Sequence, residues 1–150
     1  MVSIITDNIF KSSAEAFVNP VNCVGTMGAG LAKQFKKRFP NNFESYYEAC
    51  VKRRIYLGKV YIYSLEGKES LKYIVNFPTK NLFRTKSTLE NIKLGLKDLE
   101  YRVIEYSMAS IAIPALGCGL GGLRWDNVKP LLLEFAGRLP DVTIIIYAPL

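Results

Sequence analysis

Three features of the sequence predict an α/β fold. Strand-like and helix-like runs alternate from one end of the chain to the other. Two glycine-rich segments each fall where an apolar run gives way to a helical pattern. No unit of about 20 to 50 residues repeats, which sets solenoids and propellers aside. With 150 residues, 49% of them hydrophobic, the chain suffices for one domain with its own core.

β-branched and aromatic runs place strands at residues 2–6, 16–21, 59–64, 72–77, 110–115 and 142–148, the last two apolar enough to be buried on both faces. Three-and-four spacing places helices at about 29–38, 42–53, 88–106 and 127–138. The third has the clearest pattern, with Leu89, Ile92, Leu96, Leu99 and Val103 on one stripe and Ser87 and Glu90 as a capping box. The fourth buries Val128, Leu131, Leu132 and Phe135, and Pro130 falls in its first turn, where a missing N–H costs little.

Composition narrows the chemistry. There is no histidine, which removes Ser-His-Asp and Cys-His catalysis and the commonest zinc ligand. Cys23, Cys50 and Cys118 lack C-x-x-C spacing, so neither a disulfide framework nor a metal site is expected, and no cofactor is implied. Twenty Lys and Arg against thirteen Asp and Glu leave a net charge of +7, which suits a polyanionic partner. The N-terminal residues do not read as a signal peptide, and no run of about 18 apolar residues appears, so a soluble, cytoplasmic protein is expected.

The first glycine segment, Gly25 to Gly30, can turn free amides and the positive end of a helix toward an anion, or can simply make a tight turn. It is not a P-loop, since no Gly-Lys-Ser/Thr follows. The second, Gly117 to Gly122, formally matches G-x-G-x-x-G, but the next strand ends Tyr147-Ala148-Pro149-Leu150 without the carboxylate a dinucleotide fold needs for its ribose. Two such loops at carboxyl ends of strands in one sheet can instead clamp a pyrophosphate from both sides.

Asn19-Pro20-Val21-Asn22, Met27 to Ala32, and Pro114 to Leu123 resemble the three signature segments of macrodomains, in order and over nearly the whole chain. Leu123 to Val128 with Asn76-Phe77-Pro78-Thr79-Lys80 looks most like the branch of DarG-type DNA ADP-ribosyl glycohydrolases, antitoxins related to the human terminal ADP-ribose protein glycohydrolase. The resemblance implies a mixed central sheet of about six strands between helical layers, an ADP-ribose ligand, and release of ADP-ribose from thymidine in single-stranded DNA. It also implies one macrodomain over residues 1–150, the catalytic part of a longer antitoxin whose further region grips a DNA ADP-ribosyltransferase toxin. A monomer is expected. Removal of ADP-ribose from protein carboxylates, or binding without cleavage, are the alternatives.

By that resemblance Lys80 is catalytic, as a neutral amine attacking the anomeric carbon or as a charge assisting the departing base. Asn8 and Ile9 would meet the adenine and Asn22 the distal ribose. Thr26, Met27, Gly28, Ala29, Gly30 and Leu31 would form one wall of the site, and Pro114, Gly117, Cys118, Gly119, Leu120 and Gly121 the other, with Thr79 beside Lys80. Macrodomains commonly carry aspartate where this chain has Asn8, whose amide oxygen still accepts a hydrogen bond. The human relative uses an aspartate where this chain has Gly121. Phe83 and Arg84 fit a stacking and phosphate contact with DNA, or a packed aromatic and a solvated charge. Lys33, Lys36, Lys37 and Arg38, and Lys52, Arg53 and Arg54, fit the C-terminal ends of helix dipoles or, alternatively, DNA phosphates.

Overall fold

In the computed structural model, which describes residues 1–67, 69–82 and 84–150, period-two alternation sorts the strand side chains into two cores. The strands are β1 (Val2–Ile5), β2 (Ala16–Val21), β3 (Tyr61–Ser64), β4 (Tyr73–Pro78), β5 (Ser110–Pro114) and β6 (Thr143–Tyr147). The helices are α1 (Gly30–Arg38), α2 (Pro40–Val51), α3 (Leu89–Glu105) and α4 (Trp125–Gly137). Val18, Val75, Ile111, Ile113, Ile144 and Ile146 face α3 and α4. Their neighbours Phe17, Ile74, Ala112 and Tyr147 face Phe35 of α1. Helices on both faces of one sheet follow directly, since each strand carries an apolar set on each side.

The sheet order is β1-β6-β5-β2-β4-β3. Every pairing is parallel except the antiparallel β3–β4 pair, so the sheet is mixed. The carboxyl ends of β1, β6, β5, β2 and β4 therefore lie side by side on one rim. At the opposite rim Glu15 joins three segments: its carboxylate accepts from the Ala109 N–H (2.8 Å) and pairs with Lys72 (3.2 Å), and its backbone N–H donates to Ser110 Oγ (2.8 Å). The backbone bond from Ala109 holds the Glu15 carboxyl below the usual carboxylate range, with Lys72 adding to the effect.

Helix ends depart from the sequence reading for identifiable reasons. The N-cap of α3 is Thr88, whose side chain accepts from the Asn91 N–H (3.2 Å), not Ser87. Ser87 is drawn into the second glycine loop by its own N–H, which donates to Gly121 O (3.0 Å), so no Ser87–Glu90 capping box forms. Helix α2 starts at Pro40, two residues early, because proline is well suited to a first helical position. It ends at Val51, since Arg53 takes a left-handed φ of 56°. Strand β3 starts at Tyr61 rather than 59. Gly95 lets α3 approach the sheet closely, because a Cβ there would lie 2.3 Å from Phe77 Cζ. Helix α4 starts at Trp125, so Pro130 lies inside it rather than in its first turn, and Leu131 is only partly buried against the core that Ala136 joins.

Candidate functional site

A cavity of about 1220 Å³ runs along the carboxyl rim. Its first wall is the loop between β2 and α1, which ends at Gly28, Ala29 and Gly30. No side chain caps α1, whose N-cap is Ala29, so the first amides of that helix are left for the cavity. The opposite wall is the loop after β5, with Gly117, Cys118, Gly119, Leu120 and Gly121. Leu123 N–H donates to Gly117 O (2.8 Å) and Gly122 N–H to Gly119 O (3.1 Å), so the second loop is a pair of nested turns.

The first loop is built around Asn22. Its Nδ2 donates to Thr26 O (3.0 Å) and Thr26 Oγ1 (2.7 Å), and its Oδ1 accepts from the Val24 N–H (3.1 Å) and the Tyr46 hydroxyl (2.8 Å). The Asn22 side chain, expected to meet a ribose, lines the cavity and also organises the loop. Tyr46 is wholly buried, and burial pushes its phenol far above the ordinary tyrosine range, so it acts here as a fixed donor. Deeper still, Asn19, Asn42 and Asn76 are fully buried and cross-linked. Asn19 Nδ2 donates to Asn76 Oδ1 (3.1 Å), and Asn76 Nδ2 donates to Asn42 Oδ1 (2.8 Å) and Tyr61 O (3.2 Å). This network ties β2, β3, β4 and α2 together beneath the cavity floor.

Lys80 follows β4 and is clamped on both sides by backbone bonds: Thr79 N–H donates to Val21 O (2.9 Å), and Cys23 N–H donates to Asn81 O (3.0 Å). It lines the cavity and is the sole Lys or Arg to do so among the described residues. At the other end, Asn8 and Ile9 follow β1, and Asp7 lies beside them. β1 and β4 are four strand spacings apart, roughly 19 Å at about 4.8 Å each, so the two ends of the cavity are separated by the length of an extended dinucleotide-like ligand.

Asn8 Oδ1 already accepts from the Phe10 N–H (3.0 Å), capping the short 3-10 turn Ile9–Lys11. Its side-chain Nδ2 is a donor, where an aspartate would present a second acceptor. Asp7 Oδ1 accepts from the Asn8 N–H (2.7 Å), which together with Lys11 holds that carboxyl below its usual range.

All of the residues assigned to ADP-ribose by resemblance, from Asn8 to Gly121, line this one cavity together with Lys80. Arg84 is exposed and does not line it, and Phe83 lies outside the described residues. The sequence reading missed Thr6, Asp7, Pro20, Val21, Ala32, Gln34 and Ala115, and the segment Tyr147 to Leu150. Most of these are the residues next to a strand's carboxyl end, a signal available once β1 and β6 were read as neighbours. Gly121 has no room for a side chain: a Cβ would lie 2.5 Å from Ser87 Oγ and 2.6 Å from Gly117 O. Cys23 is partly buried, and burial, with Cys50 nearby, pushes its thiol up to about 11. Burial also raises Cys118. Neither suits a nucleophile near neutral pH. No helix among the described residues is long and apolar enough to cross a membrane.

Residues 18–132 match the family model described as Macro domain. A DNA ADP-ribosyl glycohydrolase of Mycobacterium tuberculosis is 41% identical over 149 residues, 99% of this chain and 42% of that protein. The structure described as the macrodomain of Mycobacterium tuberculosis DarG superposes with a TM-score of 0.98, covering 100% of this chain and 99% of that one. A DNA ADP-ribosyl transferase-DNA ADP-ribosyl glycohydrolase fusion protein of Thermosipho africanus is 33% identical, over 99% of this chain and 42% of that protein. The structure described as Thermosipho africanus DarTG in complex with ADP-ribose has a TM-score of 0.94 at 33% identity, covering 99% of this chain and 42% of that one. The human ADP-ribose glycohydrolase OARD1 is 29% identical over 121 residues, 81% of this chain and 73% of that protein. The chain thus spans well under half the length of its bacterial relatives. Six strands in this order, two glycine loops closing one rim and the match over residues 18–132 agree: the chain belongs to the macrodomain family.

Proposed function

We propose that this macrodomain is an ADP-ribosyl glycohydrolase that removes ADP-ribose from thymidine bases in single-stranded DNA. The observation that carries the reading is the placement of Lys80, the cation lining the cavity, at the end opposite Asn8. With adenine against Asn8 and Ile9 and the pyrophosphate between the two glycine loops, the distal ribose comes to Lys80, where the glycosidic bond breaks. Backbone amides of Gly28 to Gly30 and of the second loop hold the phosphates.

Breaking the C–N bond leaves positive charge at the anomeric carbon and an electron pair on the base. Lys80 fits two actions: its amine bonds to that carbon as the base departs with the amine's proton, and water then releases ADP-ribose from the ring-opened imine, or its ammonium stabilises the departing base while water bonds to that carbon. Reductive trapping with borohydride distinguishes them, because only the first leaves a protein-linked sugar. A protein-carboxylate substrate is less well supported, because Gly121 has no room for an aspartate. Similarity to DNA-directed relatives, including one fused to an ADP-ribosyl transferase, supports a role as antitoxin toward such a transferase. We take the chain as one monomeric domain within that system.

The test is incubation of wild type and Lys80→Ala with an oligonucleotide carrying ADP-ribosyl-thymidine, following ADP-ribose release on a denaturing gel. Wild type should clear the adduct and Lys80→Ala should not, while both bind free ADP-ribose. Binding by both with release by neither overturns the glycohydrolase reading and leaves an ADP-ribose-binding module.

A further inference from the structure

We infer that the DNA strand carrying the modified base runs over Lys86 and Arg124, across the outer side of the second glycine loop. This deepens the proposed function and rests on it. The reacting bond lies at the β4 end of the cavity, so the nucleotide attached to it emerges where the segment after Lys80 begins. Its described residues 84–88 lead into α3 and are tied to the second loop by the Ser87 N–H bond to Gly121 O (3.0 Å).

Lys86 lies along this junction, with its Cδ 3.4 Å and its Nζ 3.6 Å from where a Gly122 Cβ would be. Among the described residues no carboxylate pairs with it. Arg124 follows two residues after Gly122, and its side chain is 79% exposed. Its contact with Asp126 (3.7 Å, 82% exposed) is a solvent-screened pair that a phosphate can displace. Residues 79–89 and 115–125 together contain four cations, Lys80, Arg84, Lys86 and Arg124, and no Asp or Glu. Leu82 and Leu120, 49% and 71% exposed, add apolar surface for bases between those charges.

Of the rival basic residues Lys33, Lys36, Lys37, Arg38, Lys52, Arg53 and Arg54, none lines the cavity. Lys36 sits over the Phe43 ring and Arg38 over the Phe10 ring, each 4.3 Å from the centroid, and Lys52 pairs with Glu48 at 2.9 Å. Single-stranded DNA fits this rim because it offers spaced phosphates to the cations and unpaired bases to the leucines.

The test measures KM at 50 and 200 mM salt for an ADP-ribosylated oligonucleotide and for the ADP-ribosyl-thymidine nucleoside, which keeps the pyrophosphate of ADP-ribose but has no DNA backbone phosphate. The enzymes are wild type, Lys86→Ala/Arg124→Ala and Lys33→Ala/Lys37→Ala. Each lost phosphate contact lowers the salt slope by about 0.7 for a single strand, so the first double variant should lose about 1.4, a roughly sevenfold smaller rise in KM between the two salts. Its KM for the nucleoside should match wild type, and Lys33→Ala/Lys37→Ala should match wild type on both substrates. Both target side chains are exposed and Arg124 caps α4 without a side-chain bond, so the fold is retained. An unchanged KM and slope in Lys86→Ala/Arg124→Ala, or loss of slope in the α1 variant instead, overturns the inference while the glycohydrolase stands. A wild type that releases nothing from either substrate overturns both.

Discussion

Replacing Gly121 by alanine probes the second loop with a single methyl group. The added Cβ would lie 2.5 Å from Ser87 Oγ, 2.6 Å from Gly117 O and 3.0 Å from Gly117 C. The serine hydroxyl can rotate away, but the carbonyl cannot, because Gly117 O accepts the Leu123 N–H at 2.8 Å. The loop must therefore open, straining that bond and the one from the Ser87 N–H to Gly121 O (3.0 Å). Overpacking of this kind costs about 1–3 kcal/mol. For a chain of this size that lowers Tm by roughly 2–12 °C, at about 2–4 °C per kcal/mol. Differential scanning fluorimetry reads the Tm, and calorimetric titration with ADP-ribose reads the displaced amides as weaker binding. Gly119→Ala is the comparator, since nothing lies within 4 Å of its Cβ, and its Tm should stay at the wild-type value. Adding Ser87→Gly to Gly121→Ala should recover under half of the loss, because the carbonyl contact remains. A Gly121→Ala protein with wild-type Tm and affinity would refute the packing argument.

Asn8→Asp adds a second acceptor while keeping the cap on the Phe10 N–H, so ADP-ribose should bind about tenfold more tightly. A hypoxanthine analogue, with an acceptor in place of the amino group, should lose affinity, and titration of both ligands checks the sign. Cys23, at about 11, should resist iodoacetamide at pH 8, and Cys23→Ala should keep turnover; rapid labelling or lost activity would reinstate a thiol role. Glu15→Gln removes a carboxylate whose pKa is lowered on folding, so its stabilisation is present above the unfolded value and lost as pH falls through the folded one. The variant should be about 1 kcal/mol less stable than wild type at pH 7, with the gap closing toward about pH 3 in urea melts. A gap that does not change with pH would remove the charge from the explanation.

The local pattern of residues decided the elements and their faces. Alternation such as Ile111-Ala112-Ile113 names two sides of a strand, and the stripe from Leu89 to Val103 names one side of a helix, because these periods are properties of the backbone. Glycines after β2 and β5 marked both walls of the cavity for the same reason. Other features depended on contacts between residues far apart in the chain. Ser87 lost the cap of α3 to Thr88 because Gly121 O claims its N–H, a bond across 34 positions that no local pattern contains. Asn22 lines the cavity, as its motif suggested, but that its amide is also held by Thr26 and by Tyr46 from α2 is written in no local pattern. Asn42 and Asn76 carry no visible motif as a pair, and only burial between α2 and β4 makes them partners. Tyr147 to Leu150 reach the cavity because β6 lies between β1 and β5. Strand order comes from the cooperative burial of two apolar faces, and it brings distant segments to one rim where spacing along the chain cannot.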